Sequence, residues 1–157
     1  MTHNDLIKRA ERWLRNTLGC KVVMCERDAY TLSGEIPDAI GWQHNKCFLV
    51  ECKVSKSDFY ADRKKPARNW NWSQTLKDAG VCYPALGHWR FYLTPPGLLK
   101  GCDLPVGWGW YEVHGKSVRY AGGEKYANAR HFPCTSDYPS ERALLVSALR
   151  RVELGIE

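Results

Sequence analysis

No run of apolar residues in this sequence approaches the roughly 20 that a membrane-spanning helix needs, which argues against a membrane-embedded chain. The N-terminal segment "MTHNDLIKRAERWLRN" lacks the apolar core of a secretion signal and is charged and helical in pattern, so a cytoplasmic location is expected. The cysteines number 7, an odd count without the density of a disulfide framework, and reduced thiols fit best. Cys47 with Cys52 and Cys20 with Cys25 stand at odd separations, so each pair faces opposite ways along a strand and neither reads as a zinc knuckle. His88, His114 and His131 stand without a second ligand at metal spacing. There is no internal repeat, low-complexity tract, convincing linker, glycine-rich phosphate loop or serine-nucleophile elbow.

What remains is one domain's worth of chain, 157 residues read as a single domain over 1–157, with a hydrophobic fraction of 44% and a charged fraction of 25%. Acidic residues are outnumbered, 17 against 23 Lys and Arg, and the net charge of +6 leans toward a polyanionic partner. Seven tryptophans and eight tyrosines supply aromatic surface that can stack on bases or fill a core.

Along the chain, Asn4 can cap a helix whose apolar positions Leu6, Ile7, Ala10, Trp13 and Leu14 keep helical spacing, with Gly19 ending it. Strands are expected over 20–26, over 30–42 with an interruption near Gly34, and over 47–54 after a turn at 43–46. Ser55 and Asp58 make a capping-box-like start for a helix to Lys65, where Pro66 discourages continuation. Residues 66–87 read as a loop with one short helix, and 122–138 as a loop. Strands over 88–94, 108–113 and 116–121 follow, and Ser140 opens a last helix with Leu145, Ala148, Leu149 and Val152 on one face.

Three charges break the pattern of buried strands. On a strand over 47–54, Phe48, Val50, Cys52 and Val54 point one way, while Leu49, Glu51 and Lys53 point the other. If the preceding strand pairs with this one, Asp38 comes within metal-sharing distance of Glu51. Two carboxylates suit a hard divalent cation such as Mg²⁺, which takes oxygen ligands, water and substrate phosphate. A lysine beside them can orient a water or stabilise charge on a scissile phosphate. The plainer alternative is an exposed Glu51–Lys53 pair with Asp38 in a turn, which accounts for neither the apolar flanks nor the joint placement.

Pro37-Asp38 followed by Glu51-Cys52-Lys53 resembles the PD-(D/E)XK signature of the restriction-endonuclease-like nuclease superfamily, and the predicted order of helix, three strands, helix and strand is similar to its αβββαβ core. Within that superfamily, "ECKVSKSDFYADRKK" and "HWRFYLTPPGLLKGCDLPVGWGWYEV" resemble segments of the MmcB-like group, which is associated with bacterial DNA repair. Pro-Asp stands where that group's Arg-Asp is expected, and the C-terminal third is unmatched. The resemblance implies an α/β fold with a central mixed sheet flanked by helices, and a Mg²⁺- or Mn²⁺-dependent deoxyribonuclease. Asp38 and Glu51 are the implied metal ligands, the Cys52 carbonyl a third, and Lys53 the water-orienting base or electrostatic stabiliser. Some members add a glutamate from the first helix. Glu11 is the candidate here, and it reads equally as a solvated partner of Lys8 or Arg15.

Arg63, Lys64, Lys65 and Arg68, followed by Trp70, Trp72 and Gln74, have the basic and aromatic interleaving that suits single-stranded or distorted DNA, or else a cation-complemented helix end beside loop-anchoring tryptophans. Asp58 reads as a cap, and Asp62 as the partner of Arg63 or another nearby base. Alanine at Asp38, Glu51 or Lys53 is expected to abolish cleavage with the fold intact. The function expected is DNA hydrolysis in repair, recombination or phage DNA processing, with a homodimer if both strands are cut. The rivals are a non-catalytic DNA-binding accessory protein and an inhibitor that binds a defence-system protein.

Overall fold

The computed structural model describes residues 1–26, 35–65, 85–127 and 131–156. The first helix, α1 (His3–Asn16), is capped by Thr2 rather than Asn4: the Thr2 side chain accepts the Asp5 N–H while the Asp5 carboxylate takes the Thr2 N–H, a capping box. Leu6, Ile7, Ala10, Trp13 and Leu14 form its buried stripe, as the spacing predicts. Gly19, at φ 70°, turns the chain out of the helix.

Three strands follow, β1 (Val22–Cys25), β2 (Ala39–Gln43) and β3 (Lys46–Cys52). β2 is shorter than the 30–42 expected. Residues 30–34 lie outside the described residues, and Glu35 to Asp38 are not in the ladder, where Pro37 has no N–H to donate. His44 and Asn45 make the turn into β3, with His44 at φ 52°. The helix α2 (Lys56–Asp62) starts at the Ser55 cap, whose side chain accepts from the Asp58 N–H, and ends before Lys65. Then come β4 (Trp89–Thr94), β5 (Trp108–His114), β6 (Ser117–Gly123) and α3 (Tyr138–Glu153).

The strands form one mixed sheet in the order β1-β2-β3-β4-β5-β6. β3–β4 and β4–β5 are parallel, and the other pairs antiparallel. A parallel neighbour needs a crossover, which the chain from α2 to β4 provides. The central strands are therefore covered on both faces. α1 packs on one with Phe48, Val50, Cys52, Phe91 and Tyr111. On the other, Phe59 of α2 and Leu144 of α3 join Ile40, Leu49, Tyr92 and Trp110. Each fully buried Leu, Ile or Phe contributes about 1.5–3 kcal/mol by leaving water.

Cys47 and Cys52 do face opposite sides, whereas Cys20 precedes β1 and packs with Cys25 on the α1 side. Cys134 is disulfide-bonded, which corrects the reading of every cysteine as a free thiol; Cys20, Cys25, Cys47, Cys52 and Cys102 are free. The last helix departs most from expectation. Asp137, not Ser140, caps it. It buries Ser140, Glu141 and Leu144, and of the expected apolar face Leu145 and Ala148 pack half-buried on the core while Leu149 and Val152 are 63% and 74% exposed. The anchor is polar: Trp42 Nε1 donates to Glu141 Oε1 at 2.7 Å. No helix of the described residues is long and apolar enough to cross a membrane.

Candidate active site

Register decides what meets at the carboxyl end of β3. Ala39 pairs with Val50 and Ile40 with Leu49, so one further step sets Asp38 beside Glu51. Across the parallel pair, Glu51 stands opposite Tyr92. Open α/β sheets place their binding sites at this edge, outside the carboxyl ends of parallel strands.

Asp38 is fixed by Cys52, whose backbone N–H donates to Asp38 Oδ2 at 2.7 Å. His3 Nε2, from the first turn of α1, lies 3.4 Å from the same oxygen. Burial first, and the Glu51 charge second, raise the Asp38 pKa above its ordinary value against the pull of the Cys52 N–H and Lys53. The two carboxylates thus feel each other, which is the situation an oxygen-seeking cation relieves.

Glu51 is 1% exposed and Lys53 5%, which excludes the plain reading of them as an exposed pair. Lys53 Nζ lies 3.3 Å from Glu51 Oε2 and 3.3 Å from Asp62 Oδ1. Lys65 Nζ approaches the same two oxygens, at 3.5 and 2.9 Å. The Tyr92 hydroxyl donates to Asp62 Oδ2 at 2.8 Å. Burial is the largest single influence and opposes the Lys53 charge, but Glu51, Asp62, Asp38 and Asp58 together outweigh it and hold its pKa above the ordinary value. The ammonium is therefore kept charged, as an electrostatic stabiliser requires.

Asp38, Glu51, the Cys52 backbone and Lys53 are brought together. Cys52 enters through its N–H, and its buried thiol is pushed well above its ordinary pKa by desolvation. Glu11 is not brought in. Arg15 Nη2 holds it at 3.2 Å beside β1, where its charge acts on Cys25, about 12 Å along the helix from His3. Lys65 turns into the site, while Arg63 and Lys64 lie exposed past the end of α2, Arg63 over the Tyr60 ring. Arg68, Trp70, Trp72 and Gln74 lie outside the described residues.

Sequence reasoning missed His3, Tyr92 and the inward turn of Lys65. A usable clue was that Asp62 stands three residues after Phe59, which must face the core, and three before Lys65.

Among the described residues no group of three or more His, Cys, Asp or Glu side chains is placed to hold a metal ion. Two carboxylates are nonetheless the number that Mg²⁺ commonly takes from protein, the rest coming from water and phosphate. Lys65, whose side chain is 48% exposed, can withdraw to make room. The donor set fits such an ion.

No family model matches the chain, and no curated protein matches it. A solved structure does: the SPO1766 protein of unknown function from Silicibacter pomeroyi, at a TM-score of 0.54 and 19% identity, covering 98% of this chain and 90% of that one. The two chains share a fold. At that identity the likeness extends to architecture and carries no activity across.

Proposed function

We propose that this protein is a restriction-endonuclease-like, divalent-cation-dependent deoxyribonuclease, acting in DNA repair, recombination or phage DNA processing. The observation that carries the reading is the seating of Asp38 on the Cys52 N–H, beside Glu51 and with Lys53 two residues on, at the carboxyl end of a parallel strand. The element order α1, β1, β2, β3, α2, β4 supports an αβββαβ core, and the PD-(D/E)XK resemblance supports the same assignment.

Asp38 and Glu51 would hold Mg²⁺ or Mn²⁺, with the Cys52 carbonyl as a further oxygen donor. When bound, the ion supplies Lewis acidity toward a phosphoryl oxygen and makes water a usable nucleophile at neutral pH. Lys53, fixed between Glu51 and Asp62, places a permanent positive charge where negative charge develops on the scissile phosphate. Asp62 and Tyr92 act through Lys53 as positioning residues.

One observation favours a second reading. Lys53 and Lys65 both pair with Glu51 and Asp62, so the acids are already neutralised in part, as a DNA-binding accessory protein with a silent site would have them. Calorimetric titration with Mn²⁺ separates the two. The nuclease reading predicts saturable binding that Asp38→Ala and Glu51→Ala each weaken at least tenfold. No binding by the parent protein would favour the silent site.

A further inference from the structure

The polar face of α1 carries a second feature that the carboxylate cluster does not use. Arg12 stands four residues after Lys8 and three after Arg9, a turn of helix from each, on the side away from the core. Beside them runs the turn between β5 and β6, and Arg9 Nη1 donates to the Lys116 carbonyl at 3.4 Å, tying helix to turn. Two open cavities that share Arg9 and Arg12 lie along this seam. One, of about 340 Å³, reaches Lys116 and Ser117; the other, of about 470 Å³, reaches Lys8 and Asp5.

Opposing charge is scarce. None of Lys8, Arg9, Arg12 and Lys116 has a carboxylate within 4.0 Å among the described residues. The one acid lining the seam, Asp5, is held by the Thr2 N–H at 2.8 Å and the Thr2 hydroxyl at 2.9 Å, and its charge is felt by Lys8 alone of these cations. Like charges one helical turn apart repel, so the arrangement is relieved by a bound anion. The floor is rigid: Trp13 is buried there, with its ring 4.7 Å from Tyr111 and 5.3 Å from Phe91.

We infer that this seam is a binding groove for the phosphate backbone of a nucleic acid strand, leading it to the carboxylate cluster. Guanidinium groups match phosphate oxygens two at a time. Trp13, the aromatic side chain of the lining, is 6% exposed, so the cations and not a ring face meet the ligand, which favours backbone over base contact. The direction of the groove comes from α1. The groove's end at Met1 and Asp5 lies at the first turn of α1, from which His3 contacts Asp38. The inference rests on the nuclease reading for the identity of the polyanion, whereas the groove itself can be tested without cleavage.

The test is fluorescence anisotropy with labelled single- and double-stranded oligonucleotides in EDTA, on the full chain, across a salt series. The Arg9→Ala/Arg12→Ala variant is expected to bind at least tenfold more weakly, and its plot of log affinity against log salt to flatten by about 1.5, for two lost phosphate contacts. The control Arg142→Ala/Arg150→Ala, which removes as much charge from exposed positions of α3, should bind as the parent does. Unchanged melting confirms that both fold. The groove is overturned if the parent does not bind, if the groove variant binds equally well, or if the control loses as much. It is also overturned if phosphatidylserine vesicles are bound more tightly than either oligonucleotide and that binding is lost in the groove variant. Cleavage in Mg²⁺ is scored separately, so a protein that binds through the groove and never cuts sinks the nuclease reading alone.

Discussion

Tyr92 shows how the charged cluster is fastened. Its hydroxyl reaches Asp62 Oδ2 in a buried setting, while its ring stacks on Trp108 at 4.5 Å. Tyr92→Phe keeps the ring and removes one donor from a buried carboxylate, at an expected cost of about 1–3 kcal/mol in urea unfolding. A variant as stable as the parent would contradict the buried hydrogen bond. His88 gives a second prediction. Its Nδ1 accepts the Cys47 N–H, and its Nε2 meets the Tyr138 hydroxyl, each at 3.0 Å. Burial foremost lowers its pKa below the ordinary 6.5, Arg90 in the same sense and Glu141 against. The unfolded chain therefore binds the proton more readily. The His88 contribution is complete above pH 6.5 and is lost as pH falls from there through the folded pKa. His88→Gln should flatten the dependence of unfolding free energy on pH over that window; an unchanged slope would refute it. At this scale Glu51 and Lys53 were legible because charges in an apolar strand demand partners. Their partners were less so, since Asp62 and Lys65 reach them only through the packing of α2 on the sheet, which spacing within one element does not fix.

Among the elements, the hairpins were the most legible: the turn at His44-Asn45 joins β2 to β3 as expected, and β5 meets β6 across Gly115. The start of β2 was not legible, since a strand over 30–42 runs through Pro37, whose missing N–H keeps it out of the ladder. The helix α3 was legible as a helix, with Leu145 and Ala148 on the core, but not in its docking, which depends on Glu141 reaching Trp42 from far along the chain. The parallel pairing of β3 with β4 depends on a long crossover and cannot be read from local turn chemistry. Gly109 shows what such packing demands. A Cβ there would collide with the Glu124 carbonyl and come within 2.9 Å of Phe91 Cδ1. Gly109→Ala is expected to cost about 3 kcal/mol, read as a lower midpoint in urea; a midpoint equal to the parent's would mean that β5 and the chain after β6 are not packed as described.

For the molecule as a whole, the mixed sheet sets its parallel centre between α1 on one face and α2 with α3 on the other, and opens the site where β3 ends. The net charge of +6 is consistent with a polyanionic substrate. The burial of Lys53 changes how the account is tested. Lys53→Ala leaves a cavity between two carboxylates, and breaking such a buried pair can cost about 3–5 kcal/mol. Lys53→Met, which keeps the stem and removes the charge, is the better variant. The most direct measurement is the release of labelled fragments from single-stranded, duplex, flap and four-way-junction DNA, in Mg²⁺, Mn²⁺ or EDTA, by the parent and by Lys53→Met checked for melting. The account predicts cutting by the parent with either metal, none in EDTA, and none by Lys53→Met. Cutting that persists in EDTA, or in folded Lys53→Met at the parental rate, would contradict it.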